Sequence, residues 1–140
     1  NLIVAAWQSE TNRWWELRRV DFALCISPLV VEEIGGGDPV AAERRLAAVA
    51  GIPLLGIRDE IFELAAALVQ PAALPRKAFD DALHISLAAF YGIDFLLTWN
   101  CRHMDNAEIK PVVRETCETF GYKCPEICTP TELMGDQCDA

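Results

Sequence analysis

The sequence AFDDALHISLAAFYGIDFLLTWNCRHMDN, residues 78–106, decides the fold. Its apolar residues recur with helical spacing as far as Phe90, which predicts a helix with a broad apolar face. Gly92 follows, and a glycine just past a helix end accepts the positive φ that terminates the helix. The apolar run at residues 95–97 then predicts a parallel strand covered on both faces, and the polar residues from Thr98 onward mark where that strand emerges.

Two acids near the start of this helix are predicted to face different ways. At spacings of three and four residues, Asp80 shares a polar row with His84, which we place on the surface, whereas Asp81 shares a row with apolar residues. A carboxylate that faces inward is costly unless it is paired, protonated or bound to a metal ion. The alternative for Asp81 is an acid at a helix start, favoured by the helix dipole and paired with Lys77.

The composition indicates one globular domain over residues 1–140. The chain is 52% hydrophobic, yet no apolar run reaches the roughly 18 residues that a membrane span needs. The net charge of −9 provides no overall basic field, so an RNA substrate would be held locally or through metal ions. No signal peptide is visible, and the six cysteines lack paired zinc-ligand spacing, which indicates reduced thiols in a cytoplasmic protein.

Helical and strand-like segments alternate along the rest of the chain. Residues 2–20 are predicted to form a helix whose tryptophans make core or dimer contacts. Ser27-Pro28 and Asp38-Pro39 each combine an N-cap with proline at the first helical position, and each predicts a helix start. Strands are predicted at residues 22–26, 52–57 and 126–128, helices at 59–70 and 106–120, and a capping box at 129–132.

This alternation predicts an α/β fold in which helices cover both faces of a parallel sheet. In such sheets, ligand sites form at the carboxyl ends of the strands. Glu33 lies in the helix that leaves the strand at 22–26, Asp81 opens the helix that enters the strand at 95–97, and Asn100 directly follows that strand. We therefore expect these three side chains to converge at one edge of the sheet.

Oxygen ligands without a Cys or His pattern suit a hard cation, here Mg²⁺ or Mn²⁺. Such an ion lowers the pKa of a bound water and bridges phosphate oxygens. It also allows carboxylates that would otherwise repel one another to lie close together. The expected cluster therefore indicates metal-assisted chemistry on a phosphate ester.

Three segments in this order, SPLVVEEI, DDALHISLA and LLTWN, resemble the PIN domain, specifically the VapC-like toxin ribonucleases. The form TWNCRH, followed by GYKCPEICTPTELMG, is similar to one branch of that family. The resemblance covers essentially the whole chain and implies a PIN-like three-layer α/β/α fold. It implies a metal-dependent endoribonuclease that hydrolyses RNA phosphodiester bonds as the toxin of a type II toxin–antitoxin pair. A small antitoxin protein and a second copy of the chain in a homodimer are the implied partners.

The resemblance also implies residue roles. Glu33 and Asp81 match acidic metal ligands, with Glu32 and Asp80 as the neighbouring acids that could be confused with them. Asn100 stands where many relatives have aspartate, and it contributes an oxygen ligand without a negative charge. Thr98 matches a hydroxyl residue, two positions before Asn100, that orients a ligand or water. With these ligands, one weakly held metal ion is expected rather than two.

The polar segment after the strand supplies candidate RNA contacts. Trp99, next to the metal-ligand position, is a candidate platform for base stacking. Arg102 could bind an RNA phosphate, with a solvated surface side chain as the alternative. His103 could contact a phosphate or donate a proton, with a turn residue that caps the next helix as the alternative.

The start of the chain departs from the family pattern, in which a central strand ends in an acid. We expect this strand and its ligand to precede Asn1, so the domain is predicted to be N-terminally incomplete. The absent acid, the neutral Asn100 and the charge of −9 motivate an alternative: a catalytically impaired PIN scaffold that acts as a protein- or RNA-binding module. Another α/β phosphate enzyme is disfavoured because no glycine-rich phosphate loop is present.

Overall fold

Four short strands form one parallel sheet at the centre of the fold in a computed structural model of the chain. The structure describes residues 2–4, 9–70, 73–75, 78–98, 104 and 106–134, with the side chains of 4 and 9–12 excepted. The strands are β1 (Leu2–Val4), β2 (Leu24–Cys25), β3 (Phe95–Leu97) and β4 (Glu126–Cys128). Their order across the sheet is β2-β1-β3-β4, so β1 and β3 occupy the interior. The predicted α/β class with a parallel sheet is confirmed.

The position of β1 corrects two predictions. Leu2 pairs with Leu24 on one side and with Phe95 on the other, so residues 2–4 form an interior strand. The first helix begins at Ser9, and the prediction that it starts at residue 2 is wrong. The prediction that the sheet lacks its central strand is also wrong, because β1 lies between β2 and β3. A run of three apolar residues is too short for periodicity to distinguish a buried strand from a helix.

Six α-helices surround the sheet in the described part of the chain. They are α1 (Ser9–Arg18), α2 (Pro28–Ile34), α3 (Pro39–Val49), α4 (Asp59–Leu68), α5 (Phe79–Phe90) and α6 (Lys110–Thr119). Two 3₁₀ turns, Arg19–Asp21 and Thr131–Leu133, complete the regular structure. None of these helices is long and apolar enough to cross a membrane.

Two apolar clusters lie on opposite faces of the sheet, because successive strand residues point to opposite sides. Ile3 and Leu96 belong to the cluster that α4, α5 and α6 cover. Leu2 and Leu97 belong to the other cluster, to which α1, α2 and the end of α3 contribute. The arrangement is three layers, with helices on both faces of the sheet. Trp14 lies fully buried in the second cluster, in agreement with a core role for this tryptophan.

Local signals set several element boundaries where the sequence predicts them. The Ser27 hydroxyl accepts a hydrogen bond from the Val30 amide, and the Asp38 carboxylate accepts one from the Ala41 amide, so both N-caps are confirmed. Thr129 and Glu132 bond reciprocally, and the predicted capping box is confirmed. Gly92 adopts a φ of +65° directly after α5, and this conformation turns the chain toward β3.

The predicted strand at residues 52–57 is not a regular strand. Leu54 forms an isolated parallel bridge with Ile26, supported by a hydrogen bond from the Leu55 amide to the Ile26 carbonyl. Pro53 has no amide hydrogen to donate to a ladder, and Gly51 and Gly56 flank the segment. The segment therefore extends the sheet beyond β2 by one bridge only.

The cysteines that the structure describes are free thiols: Cys25, Cys117, Cys124 and Cys128. Cys117, in α6, is fully buried, and its side chain bonds with that of Cys124 in the loop after the helix. This hydrogen bond, together with burial, raises the pKa of Cys117. The same bond, with the nearby Arg114 charge, lowers the pKa of Cys124, so Cys124 is the thiol of the pair that ionises first.

Candidate functional site at the carboxyl edge of the sheet

The carboxyl edge of the sheet brings together the ends of β2 and β3. Both strands run parallel to β1, so the segments that follow them, which begin at Ile26 and Thr98, lie at the same edge. α2 begins there at Pro28, and α5 begins there too because a crossover helix runs back across the sheet before β3. This is the edge of a parallel sheet at which ligand sites form.

Glu33 and His84 meet at a contact between α2 and α5. The Nε2 atom of His84 lies 2.9 Å from Oε1 of Glu33, although the two residues are 51 positions apart. A carboxylate only accepts hydrogen bonds, so the imidazole Nε2–H is the donor. The Glu33 side chain is 44% exposed to solvent, whereas the His84 side chain is 3% exposed. One carboxylate oxygen is therefore held from inside the protein while the group remains accessible from outside.

Asp81 lies in α5, one turn before His84. Residues three apart on a helix have Cβ atoms about 5–6 Å apart, so Asp81 lies within one turn of the residue that contacts Glu33. Asp81 is partly buried, whereas its neighbour Asp80 is exposed, as their different helical rows predict. The contact between Glu33 and His84 brings a side chain of α2 to α5, and the expected convergence of Glu33 with Asp81 stays a prediction.

His84 corrects a prediction from the helical rows, which placed it on the surface beside Asp80. It is buried because α5 is enclosed almost all round from Ala82 to Ala89, with Glu33 of α2 contacting the row that was expected to face water. The sequence carries no signal for this burial, since the row that His84 shares with Asp80 is polar. Which face α2 covers is a property of the tertiary packing.

The second ring nitrogen of His84, Nδ1, is buried and has no hydrogen-bond partner in the described part of the chain. A buried polar atom without a partner costs about 1–3 kcal/mol of stability. An apolar side chain of similar volume at this position would avoid that cost. The imidazole is therefore an expensive residue for this interior position, and its other nitrogen is committed to Glu33.

Thr98 directly follows β3 and is buried at the sheet edge. Its amide donates to the Cys128 carbonyl at 2.8 Å, which continues the pairing of β3 with β4 by one residue. Its hydroxyl lies 3.7 Å from Sδ of Met104 and donates to it. The structure thus places Thr98 at the predicted edge, and its orienting role stays a prediction.

Four of the predicted site residues lie outside the described residues: Trp99, Asn100, Arg102 and His103. The metal-ligand role of Asn100 and the RNA contacts of the other three therefore stay predictions. They lie in the sequence within five residues after Thr98.

Within the described part of the chain, no group of three or more His, Cys, Asp or Glu side chains is placed to hold a metal ion. Glu33 and Asp81 are the two predicted carboxylate ligands that the structure describes. In phosphoryl-transfer sites, Mg²⁺ is commonly held by one or two carboxylates, with water and substrate phosphate as its remaining ligands. Each of these carboxylates could supply one oxygen ligand to such a cation, and the described residues do not form a closed cage of protein ligands.

The chain was compared with protein families, curated proteins and solved structures. No protein-family model, curated protein or solved structure matches the chain.

Proposed function

We propose that this protein is a metal-dependent endoribonuclease of the PIN-domain, VapC-like type, which hydrolyses RNA phosphodiester bonds as the toxin of a toxin–antitoxin pair. The observation that carries the proposal is the contact between Glu33 and His84 at 2.9 Å, one helical turn from Asp81. It links α2, which carries one of the two proposed carboxylate ligands, to α5, which carries the other. The carboxyl edge of a parallel sheet is where ligands bind.

In this proposal Glu33, Asp81 and Asn100 hold one Mg²⁺ or Mn²⁺ ion. When bound, the ion would activate a water molecule and offset negative charge on the scissile phosphate. Glu33 and Asp81 orient the cation and balance its charge. Thr98 orients the third ligand or a water at the end of β3.

The same proposal gives the segment after Thr98 the task of holding RNA. Trp99 stacks on a base, Arg102 binds a phosphate, and His103 contacts a phosphate or donates a proton. Local contacts are needed because the chain carries a net charge of −9, which repels a polyanion at long range. A small antitoxin protein and a second copy of the chain are the proposed protein partners.

Paired substitutions test the site. Asp81→Asn and Glu33→Gln each remove one carboxylate charge, and we expect each to slow Mn²⁺-dependent cleavage of single-stranded RNA by at least about 100-fold, the order of loss when a charged or hydrogen-bonding group is removed from a reaction centre. The adjacent exposed acids provide matched controls: Asp80→Asn and Glu32→Gln carry the same chemical change on the same helices. We expect these controls to cleave RNA within about threefold of the wild-type rate, because charge changes at exposed positions are screened by solvent.

Cleavage is measured with a fluorophore–quencher RNA over a range of Mn²⁺ concentrations, and Mn²⁺ binding is measured separately by electron paramagnetic resonance. If all four variants cleave like the wild type, Glu33 and Asp81 are not the site. If the controls lose as much activity as the test variants, the effect reflects general charge and the assignment is also rejected.

A specific observation favours a second function, a PIN scaffold that binds protein or RNA without cleaving it. The residues after β1 are Ala5 and Ala6, so this strand does not end in an acid. The Asn100→Asp variant separates the two functions, because the added charge should tighten Mn²⁺ binding and raise cleavage in an enzyme. A binding module would show no Mn²⁺-dependent cleavage in either the wild type or this variant, and would still shift single-stranded RNA or a partner protein in a binding assay.

A further inference from the structure

His84 contacts a proposed metal ligand and has no role of its own in the proposed function. It projects from the middle of α5, and its side chain is 3% exposed. Its Nε2 atom lies 2.9 Å from Oε1 of Glu33. Its sequence neighbours Leu83 and Ile85 are apolar and buried, so His84 is a polar side chain in a largely apolar part of α5. The imidazole of His84 is therefore a buried polar group, and its hydrogen-bond partner among the described residues is the Glu33 carboxylate.

The two ends of this contact differ in freedom. Glu33 is 44% exposed near the end of a seven-residue helix, and a glutamate side chain in such a place samples several rotamers. The imidazole of His84 is enclosed by α5 and its neighbours and has a fixed direction. A hydrogen bond from a fixed donor to a mobile carboxylate restricts the carboxylate, and it occupies one lone pair while the remaining ones stay available for a cation.

The second nitrogen gives an independent indication. Nδ1 is buried without a partner in the described part of the chain, so the imidazole is not optimised for the stability of the core. Groups that reduce stability while holding a functional residue in place are characteristic of sites in which geometry matters more than stability. A merely structural link between α2 and α5 would be better served by an apolar contact.

We propose that His84 is a positioning residue that holds the Glu33 carboxylate in the orientation required to bind the cation. This inference rests on the proposed function, because it assigns Glu33 to a metal site. His84 acts through Glu33, and no contact of His84 with the metal ion or with RNA is part of the proposal. The donor is Nε2–H, and Oε1 of Glu33 accepts.

Two substitutions at the same position separate positioning from packing. His84→Leu removes the donor and the unpartnered Nδ1 together, while keeping an apolar group in the core. We expect it to weaken Mn²⁺ binding by about 10- to 100-fold, the usual effect of removing a group that orients a metal ligand. The midpoint of thermal unfolding should stay equal or rise, because the buried atom without a partner is gone.

His84→Gln is the conservative control. Its amide nitrogen can reach the position of Nε2 and donate to Glu33, without placing a nitrogen where Nδ1 lies. We expect its dissociation constant for Mn²⁺ to stay within about threefold of the wild-type value. If His84→Leu weakens Mn²⁺ binding and His84→Gln does not, the hydrogen bond from residue 84 to Glu33 is the cause.

The hydrogen bond itself is observed without metal by long-range proton–nitrogen NMR of the imidazole. The wild type should show a proton on Nε2 that exchanges slowly with water, and Glu33→Ala should lose that slow exchange. If the wild type binds Mn²⁺ and His84→Leu binds it equally well, the positioning role is rejected while the metal site stands.

Two other outcomes are also decisive. If His84→Leu lowers the unfolding midpoint and leaves Mn²⁺ affinity unchanged, the imidazole is a structural link only, and the inference is overturned. If the wild type shows the Nε2 proton but does not bind Mn²⁺, the metal site of the proposed function fails, and with it the purpose assigned to the contact, although the contact is real. The NMR signal therefore distinguishes failure of the inference from failure of the proposed function.

Discussion

The interior strand β1 leads to a prediction that the sequence pattern would not support. Ile3 is 1% exposed and lies in the apolar cluster beneath α4, α5 and α6, with Cys25 and Leu96 as its partners in the neighbouring strands. Ile3→Ala should therefore remove a fully buried side chain from the centre of the sheet. If residues 2–4 instead formed the exposed start of a helix, alanine would be tolerated, because it is the best helix former.

The expected cost follows from this burial. Truncating a buried isoleucine to alanine typically lowers the free energy of unfolding by about 2–5 kcal/mol, because transfer free energy is lost and a cavity remains. For a chain of 140 residues, each kcal/mol corresponds to about 3 °C in the unfolding midpoint. Ile3→Ala should therefore lower the midpoint by about 6–15 °C.

Thermal unfolding followed by circular dichroism measures this shift. Val20→Ala is the matched control, since it also shortens an apolar side chain near the start of the chain, but at a position that is 81% exposed. The control should change the free energy of unfolding by less than about 0.5 kcal/mol. An Ile3→Ala midpoint that is indistinguishable from that of the control would refute the interior position of β1.

Two further predictions concern the end of α5 and the paired thiols. Gly92→Ala should lower the free energy of unfolding by about 1–2 kcal/mol in chemical denaturation, because the φ of +65° is unfavourable for a residue with a Cβ atom; an unchanged midpoint would contradict a glycine-dependent helix end. Cys124 should react with iodoacetamide before Cys117 in peptide mapping, since its lowered pKa raises its thiolate fraction while the raised pKa of Cys117 keeps that thiol protonated. As the pH rises, labelling of Cys124 should therefore begin at lower pH than labelling of the unfolded chain, and faster labelling of Cys117 would contradict the assignment.

Features that depend on a few adjacent residues could be predicted from the sequence. The Ser27 and Asp38 caps and the Gly92 helix end lie where the sequence indicates them, because each depends on the backbone within about one turn. The different exposure of Asp80 and Asp81 could also be predicted, since helical geometry alone places them on different faces.

Features that depend on distant segments could not be predicted. His84 lies on a row that reads as polar and exposed, yet it is buried, because α2 brings Glu33 against that row. Residues 52–57 have the apolar character of a strand, yet they contribute one bridge, because Pro53 cannot donate to a ladder beside β2. In both cases the neighbour, rather than the segment, decides the environment of the side chain.

The sequence by itself determined the α/β class, the helix caps and the residues able to provide oxygen ligands, because these follow from periodicity and side-chain chemistry. Only the tertiary structure decided that residues 2–4 lie inside the sheet and that Nε2 of His84 in α5 meets Glu33. The physical reason is that a three-residue apolar run and a single polar row are each compatible with more than one partner. Burial and hydrogen bonding between segments far apart in sequence select which partner is present.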